Sequence, residues 1–351
     1  MLGLPGSGKT TAAQHIAQQT GVVKLTADAI RIAIIPEPRW NMAEHRFFFG
    51  LLDRLTNQLL RSGRSVLLDA NHNQFSVRQR KYQQAVQHAA IPAVIYVSAP
   101  HEVWLARNQA RTATGGTEVI PASKLTDSPM AIAERMARNF EKPQPHEPVV
   151  AIDGTASPAE QIAAITAYLD GQGVKLPAKP TRSANLYLML GLPGSGKTTA
   201  ATEIARQTGA IHLSSDAWRL ALFPKPTFSE AEHEQLYRIL DYFTELLLVQ
   251  GVDVIYDANL NRLKHRQEKY AISQSLNVTT RLLWVQTDHE LAMARRVNDS
   301  HDGLRPPYES PAEMFQRIAG IFEAPDIDEP YMTLDGTAIT ADYIRHKLLL
   351  P

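Results

Sequence analysis

The feature that most restricts the fold of this chain is a glycine-rich motif that occurs twice. Gly-Leu-Pro-Gly-Ser-Gly-Lys-Thr-Thr spans residues 3–11 and recurs, identical, at 191–199. In the pattern Gly-x4-Gly-Lys-Thr, the glycines let backbone N–H groups curl around phosphate oxygens, and the following helix N-terminus adds partial positive charge. An apolar run at 186–190 precedes the second motif, and helical spacing begins at Lys197. The motif therefore lies between a strand and a helix, as a phosphate-binding loop requires.

Each polar residue of the motif has an expected role. Lys9 and Lys197 reach the β and γ phosphates, and Thr10 and Thr198 offer a hydroxyl ligand to Mg²⁺, so we predict ATP and Mg²⁺ as cofactors. A glycine turn that binds nothing would not explain why both lysines and both threonines accompany the glycines. The predicted nucleotide-binding residues are Gly3, Pro5, Gly6, Ser7, Gly8, Lys9, Thr10 and Thr11 in the first motif, and Gly191, Pro193, Gly194, Ser195, Gly196, Lys197, Thr198 and Thr199 in the second.

The repeat extends far beyond the motif, which indicates a duplication. An offset of 188 residues relates Asp28 to Asp216 and Arg107 to Arg295 without a gap. Strand-like apolar runs alternate with helical segments, which predicts an α/β fold: a parallel sheet of about five strands in each copy, flanked by helices. We expect tandem P-loop NTPase domains at 1–170 and 185–351, joined by a linker at 171–184 that is rich in Gly, Pro and Ser.

The first copy lacks most of its first predicted strand. Met1-Leu2 aligns with Met189-Leu190, so residues 185–188 have no counterpart in copy 1. A parallel sheet normally buries this strand at its centre. We therefore expect a truncated first strand, and we hypothesise that the natural chain begins upstream of Met1.

Two carboxylates in each copy are candidate chemical groups. Asp28 and Asp216 follow short apolar stretches, at the strand ends where α/β folds place ligands, and could accept the proton of a substrate hydroxyl. The competing interpretation is a helix N-cap. Asp69 and Asp257 close apolar strands and resemble a Walker-B carboxylate, so we predict them as metal ligands. Turn formation competes with function for Asn71, Asn73, Asn259 and Asn261.

The order of these motifs resembles a known family. The glycine loop, Ser-Ser-Asp-x-x-Arg, Asp-x-Asn-x-Asn followed by Arg, and Leu-Ala-Arg-Asn-x-x-Arg are similar to the kinase domain of polynucleotide 5′-hydroxyl kinases and of zeta-toxin-like P-loop kinases, a group of AAA-type ATP-binding kinases. The resemblance spans nearly all of each copy. It implies a kinase-type P-loop domain that moves the γ-phosphate of ATP to a hydroxyl, with Asp28 and Asp216 as general bases.

The resemblance also implies an arginine-bearing lid that closes over ATP. Arg107 and Arg111 match the lid pattern in copy 1. In copy 2, Arg295 is present, but Asp299 stands at the position of Arg111. We therefore expect copy 2 to be impaired unless Arg305 substitutes.

The acceptor is the open part of the prediction. Arg78 and Arg266 could hold an acceptor phosphate or lie on a solvated helix face. With Arg80, Lys81, Lys264 and Lys269 they could form local basic patches, so a polynucleotide 5′-hydroxyl is the leading acceptor. A sugar, nucleotide or antibiotic is the alternative, and fold does not select among them.

Composition sets outer limits on function. Thirty-six basic residues balance thirty-six acidic ones, which disfavours long nucleic acid as a partner. The chain has no cysteine and no long apolar run, so we expect a cytoplasmic protein, away from membranes and without an obligate protein partner. An ATP-hydrolysing switch, or a chain with one degenerate nucleotide-binding copy, are the alternatives to a kinase with two active copies.

Overall fold

The computed structural model describes residues 1–114, 120–298 and 309–349. The chain divides into two compact units, Met1–Pro180 and Thr181–Pro351, which hold copy 1 and copy 2 respectively. The segment before this division packs on unit 1: the N–H of Gly21 donates to the carbonyl of Pro177 at 2.7 Å, and Leu176 lies against the apolar core. Within the described part of the chain, no helix is long and apolar enough to cross a membrane.

The described residues of unit 1 form four strands, which pair in parallel as β1 with β2 and β3 with β4. Their bounds are β1 Val23–Thr26, β2 Val66–Asp69, β3 Val94–Ser98 and β4 Val149–Asp153. The helices of unit 1 are α1 Lys9–Gln19, α2 Ala27–Ile34, α3 Met42–Arg61, α4 Phe75–Gln87, α5 His101–Thr114, α6 Pro129–Arg138 and α7 Pro158–Gly171, with a short 3-10 helix at Ala122–Lys124.

Unit 2 contains a continuous five-stranded parallel sheet in the order β6-β7-β5-β8-β9. Its strands are β5 Asn185–Leu190, β6 Ile211–Ser214, β7 Val254–Asp257, β8 Thr279–Gln286 and β9 Tyr331–Asp335. Its helices are α8 Lys197–Thr208, α9 Ser215–Leu222, α10 Glu230–Leu248, α11 Leu263–Ser275, α12 His289–Asn298, α13 Pro311–Gly320 and α14 Ala341–Leu348. The predicted α/β architecture with parallel sheets flanked by helices is confirmed.

The central strand β5 is apolar because helices cover both faces of the sheet. Leu186, Leu188 and Leu190 are fully buried, and the strand pairs with β7 on one side and β8 on the other. The core on one face is formed by β5 and its neighbours against α8 and α14, through residues such as Ala200, Ile204, Ile344 and Leu348. This packing fixes the glycine loop that follows β5.

In unit 1 the position of β5 is held by Met1 and Leu2 alone. The nitrogen of Met1 donates to Leu68 O at 2.7 Å, and Leu2 forms a parallel bridge with Tyr96. Apart from these two residues, the described part of unit 1 has no strand between β2 and β3. An apolar cavity of about 470 Å³ lies between those two strands. Its lining includes Leu67 and Ile95, which belong to the core of unit 1. The sheet of copy 1 is therefore divided into two pairs where that of copy 2 is continuous.

Candidate functional site

The two glycine loops have the same backbone. Gly8 and Gly196 precede α1 and α8 in the left-handed region, at φ 97° and 96°, which a side chain would strain. A Cβ at Gly3 would lie 2.3 Å from Val97 O, and one at Gly191 would lie 2.5 Å from Val285 O, so the loop presses against the adjacent strand. The first N–H groups of each helix, which have no partner within the helix, therefore lie directly after a tightly packed loop, where a phosphate can bind.

The loops contain polar atoms that suit an anion. Ser7 and Ser195 are buried, and the Oγ of each has no hydrogen-bond partner within the described residues. A buried hydroxyl without a partner is costly, and a phosphate oxygen would satisfy it. The loops therefore fit the nucleotide that the motif predicts.

Both motif lysines fold back on their own loops. Lys9 Nζ donates to Leu4 O at 2.9 Å, and Lys197 Nζ donates to Gly191 O and Leu192 O, each at 2.9 Å. Burial lowers the pKa of Lys9 to about 8, an effect that the charge of Arg111 increases and that Asp69 opposes. Burial also lowers the pKa of Lys197. Loop carbonyl oxygens accept hydrogen bonds from both ammonium groups. The phosphate oxygens of a bound nucleotide would compete with these carbonyls for the same donors.

The two carboxylates among the predicted metal ligands, Asp69 and Asp257, end β2 and β7 and face the helices that carry Thr10 and Thr198. Thr198 Oγ1 donates to Asp257 Oδ2 at 2.9 Å. In copy 1, Asp69 is buried and its Oδ2 has no hydrogen-bond partner in the described part of the chain. No group of three or more His, Cys, Asp or Glu side chains there could hold a metal alone. The residues present fit Mg²⁺ bound through a hydroxyl, one carboxylate and nucleotide phosphates, the ligand set this ion prefers.

A histidine distinguishes the carboxylate of copy 2. His212 Nε2 lies 3.0 Å from Asp257 Oδ2, whereas the aligned residue in copy 1 is Lys24, which bonds to Gln14. Burial alone would raise the pKa of Asp257, but the bond to His212 and the charge of Lys197 hold that pKa below its usual value. Asp257 is therefore an ionised acceptor in copy 2.

Asp28 and Asp216 lie in the first turn of α2 and α9, and neither is the N-cap. The caps are Thr26 and Ser214, and the Ser214 side chain accepts from the N–H of Ala217, so the helix N-cap interpretation of the aspartates is wrong. Both aspartate side chains are reached by solvent. Nevertheless, the surrounding protein raises the pKa of each, and the nearby charge of Asp69 or Asp257 raises it further. A solvent-accessible carboxylate in a cleft is open to a substrate.

A buried arginine follows each aspartate by three residues, and the sequence analysis assigns it no function. Arg31 and Arg219 are buried on α2 and α9. Arg219 forms an ion pair with Glu232, and its Nη2 lies 3.1 Å from His233 Nδ1; Arg31 lies 3.6 Å from Glu44. Each arginine thus ties the helix that carries the aspartate to the following long helix. The paired glutamate and histidine serve this packing.

Arg107 and Arg295 bind carbonyl groups around the loops. Arg107 Nη1 donates to Gly6 O at 3.1 Å and Nη2 donates to Gly154 O at 3.3 Å, and Arg295 Nη1 donates to Gly336 O at 3.2 Å. A Cβ at Gly154 would lie 1.7 Å from Ser7 O, and one at Gly336 would lie 1.9 Å from Ser195 O. Glycine is required there because the chain after the last strand touches the phosphate loop. The sequence shows this only as a repeated Asp-Gly pair.

The second lid arginine of copy 1 lies near the motif lysine. Arg111 is on α5, and its charge acts on Lys9. In copy 2, Asp299 aligns with Arg111, and Arg305 is the residue expected to substitute for it. Both lie outside the described residues.

Arg78 and Arg266 are buried, so neither the phosphate-contact nor the solvated-face prediction is right. Arg266 Nε and Nη2 donate to the two carboxylate oxygens of Glu329 at 2.7 and 2.6 Å, and Tyr270 OH adds a third bond at 2.9 Å. Arg78 makes the same bidentate pair with Glu147 at 2.6 and 2.8 Å. Arg266 Nη1 also donates to Leu260 O, which braces the loop after Asp257.

The asparagines after the carboxylates form turns. Asn71 Oδ1 accepts from the N–H of Asn73 at 3.1 Å, and Asn259 Oδ1 accepts from that of Asn261 at 3.3 Å. Side chains that bond two residues along the chain are typical of Asx turns. The structure supports the turn-forming interpretation of these residues.

Together these elements define the class of the protein. A parallel strand, a loop of left-handed glycines, a lysine at the start of the next helix, and a carboxylate at the end of the neighbouring strand form a P-loop nucleotide-binding fold, and this chain has two. The chain belongs to the AAA domain family, whose pattern matches residues 1–143 and 186–325. The duplicated motif and the family match therefore agree on both copies.

Several solved structures are similar in fold. A sugar kinase from Janibacter is 19% identical with a TM-score of 0.37, covering 48% of this chain and 94% of that one. A gluconokinase from Sinorhizobium meliloti is 15% identical with a TM-score of 0.35, covering 48% and 91%. Kti12 from Chaetomium thermophilum, in complex with ADP-AlF3, is 21% identical with a TM-score of 0.37, covering 46% and 94%. No curated protein matches the chain.

Proposed function

We propose that the chain is an ATP-dependent phosphotransferase that moves the γ-phosphate to a hydroxyl acceptor, with Asp28 and Asp216 as general bases. The observation that carries this proposal is the position of each aspartate. Asp28 is open to solvent, yet its carboxylate lies within electrostatic range of Lys9 and Asp69, the residues expected around the phosphates and metal. Asp216 has the same relation to Lys197 and Asp257. A carboxylate that is open to solvent and close to the phosphate-binding residues can take the proton of an incoming hydroxyl.

The remaining groups divide the work of positioning and charge stabilisation, which dominates phosphoryl transfer. The loop N–H groups and Lys9 or Lys197 hold the β and γ phosphates. Thr10 with Asp69, and Thr198 with Asp257, would hold Mg²⁺, which neutralises phosphate charge when it is bound. Arg107 and Arg295 brace the loop against the Asp-Gly turn behind it.

A small molecule is the acceptor class that one observation favours. The basic patches that suggested a polynucleotide are mostly absent from the surface: Arg78, Arg266 and Lys269 are buried, and Lys81 forms an ion pair with Asp53. Of the patch residues, Arg80 and Lys264 remain exposed, so the patches offer fewer of the cationic contacts on which polynucleotide binding normally depends. Sugars and nucleosides are therefore the first candidates, and a 5′-hydroxyl oligonucleotide is the second.

The test is ATP consumption with and without an acceptor. A kinase consumes little ATP until its hydroxyl substrate arrives, so panels of sugars, nucleosides and 5′-hydroxyl oligonucleotides should stimulate turnover selectively and yield a phosphorylated product. The chain with both Asp28→Asn and Asp216→Asn is the matched control and should not respond. ATP hydrolysis that no acceptor stimulates, and that the double variant retains, would instead identify an ATPase switch.

A further inference from the structure

Position 108 of copy 1 and the aligned position 296 of copy 2 adjoin the glycine loop but carry different residues. Asn108 is buried, and its Nδ2 donates to Pro5 O at 3.0 Å. A Cβ at Gly6 would lie 2.6 Å from that nitrogen, so the amide fills the space beside the loop. In copy 2 the residue is Arg296, which replaces a neutral amide by a guanidinium group.

The helix that carries Arg296 packs directly on the loop of copy 2. A Cβ at Gly194 would lie 2.1 Å from Ala292 O and 3.3 Å from the backbone nitrogen of Arg296. The arginine side chain therefore starts at the edge of the phosphate site. One of its contacts is Met314 Sδ, 3.5 Å from Nη2, and a thioether sulfur is a weaker acceptor than a phosphate oxygen.

The position of Arg296 beside the Gly194 loop agrees with the charged groups that it influences. The charge of Arg296 acts on Lys197 and on Asp216, the two residues that flank the transferred group in the proposed function. In copy 1 it is Arg111 whose charge acts on Lys9. The two arginine positions are three residues apart on equivalent helices, about 4.5 Å along the axis at 1.5 Å per residue, and a long arginine side chain can span that distance.

We propose that Arg296 contacts the transferring phosphoryl group in copy 2, the role that the family resemblance implies for the lid residue Arg111 in copy 1. This inference rests on the proposed phosphotransferase function. Arg295, the neighbouring arginine, is held by Gly336 O and keeps the role of Arg107. Copy 2 is then competent without Arg305, in contrast to what the Asp299 substitution alone predicts.

The first test measures phosphotransfer by copy 2 in the Lys9→Ala chain. Arg296→Ala should lower kcat by about 10³-fold, the lower limit for a transition-state arginine, with the KM for ATP within about threefold of the parent. Arg296→Lys should recover only part of the loss, because lysine cannot make the bidentate contact. Met314→Leu is the control, since it removes the sulfur that Arg296 Nη2 contacts and should leave kcat unchanged. An equal loss in Met314→Leu, or no loss in Arg296→Ala, would overturn the proposal.

A second readout needs no acceptor. ADP with aluminium fluoride imitates the transferring phosphoryl group, so Arg296→Ala should weaken that complex by about 10³-fold and leave the affinity for ADP alone within about threefold. A matching loss for ADP alone would mean that Arg296 only holds the loop, and would refute the inference. If no hydroxyl acceptor is ever found but the aluminium fluoride complex still depends on Arg296, the acceptor assignment fails and the arginine assignment stands.

Discussion

Replacing Asp216 by Asn in the Lys9→Ala chain separates general-base chemistry from a structural role. Asparagine keeps the size of the side chain but cannot accept a proton. Ser214 caps α9, so the helix retains its cap. The charge of Asp216, in the first helical turn, interacts favourably with the helix N-terminus by at most about 1 kcal/mol. Removing that charge also removes its unfavourable burial and its repulsion by Asp257, which raise the pKa of Asp216 and offset the loss.

The kinetic effect should be much larger than the effect on stability. Loss of a general base lowers phosphotransfer by roughly 10²- to 10⁴-fold, which at 1.36 kcal/mol per tenfold is about 2.7 to 5.5 kcal/mol of activation free energy. ATP binding should persist, since Lys197 and the glycine loop are unchanged. The two effects differ enough in size to be told apart in one variant.

The assay combines three measurements on the same protein. These are γ-phosphate transfer to an acceptor, ATP affinity by fluorescence titration, and the free energy of unfolding without nucleotide. Asp342→Asn, at an exposed position on α14, controls for the loss of one negative charge. A variant that loses more than about 2 kcal/mol of stability, beyond the range expected for a helix-terminal charge, while keeping its specific activity would refute the base assignment.

The pH dependence gives the same prediction a second signature. The raised pKa of Asp216 means that kcat/KM should rise as pH increases through that pKa, and Asp216→Asn should abolish this limb. In copy 1 the upper limb should fall near pH 8, where Lys9 loses its proton. The sign for stability is opposite: a carboxyl with a raised folded pKa weakens the fold as pH rises through that value, and the Asn variant lacks this loss.

Three further outcomes are expected. Lys9→Ala and Lys197→Ala should each reduce turnover by more than about tenfold in their own copy and leave the fold intact, and unchanged phosphotransfer in the double variant would exclude these loops. Glu329→Gln should lower the free energy of unfolding of copy 2 by about 3 to 5 kcal/mol, because it leaves the charge of Arg266 buried and unpaired. Hydrogen-exchange protection should then fall in β7 of copy 2 and stay unchanged in β2 of copy 1. Adding Asn-Leu-Tyr-Leu before Met1, copied from β5, should fill the apolar cavity and raise the melting temperature. An unchanged or lower melting temperature would contradict the alignment of Met1-Leu2 with Met189-Leu190.

Much of the fold was predictable because its signals are local. The apolar run at 186–190 lies within β5, and the helical spacing that begins at Lys197 corresponds to α8. The glycine loops follow from their motif, since the glycines take positive φ where the motif requires it. The carboxylates at strand ends were predictable for the same reason: the ends of parallel strands meet at one edge of the sheet.

What the sequence did not reveal depends on partners far along the chain. Arg266 reads as a surface residue on α11 until Glu329 is placed beside it, 63 residues later. Gly336 is one glycine among many until Ser195 O is found at 1.9 Å from where its Cβ would lie. A contact across the fold leaves no periodicity in the sequence, so neither pattern nor composition could assign these residues to the site.

The two copies also show why comparison by aligned position missed Arg296. That comparison identifies only the residue of copy 2 that aligns with Arg111, which is Asp299. The cleft, however, needs a positive charge near the motif lysine, and a flexible arginine can supply it from either of two adjacent helical turns. In copy 2 we infer that Arg296 supplies that charge, because its backbone nitrogen packs against the glycine loop, 3.3 Å from where a Cβ at Gly194 would lie. Activity of the Lys9→Ala chain that is lost on Arg296→Ala would therefore favour spatial position over aligned position as the basis for predicting which copy is active.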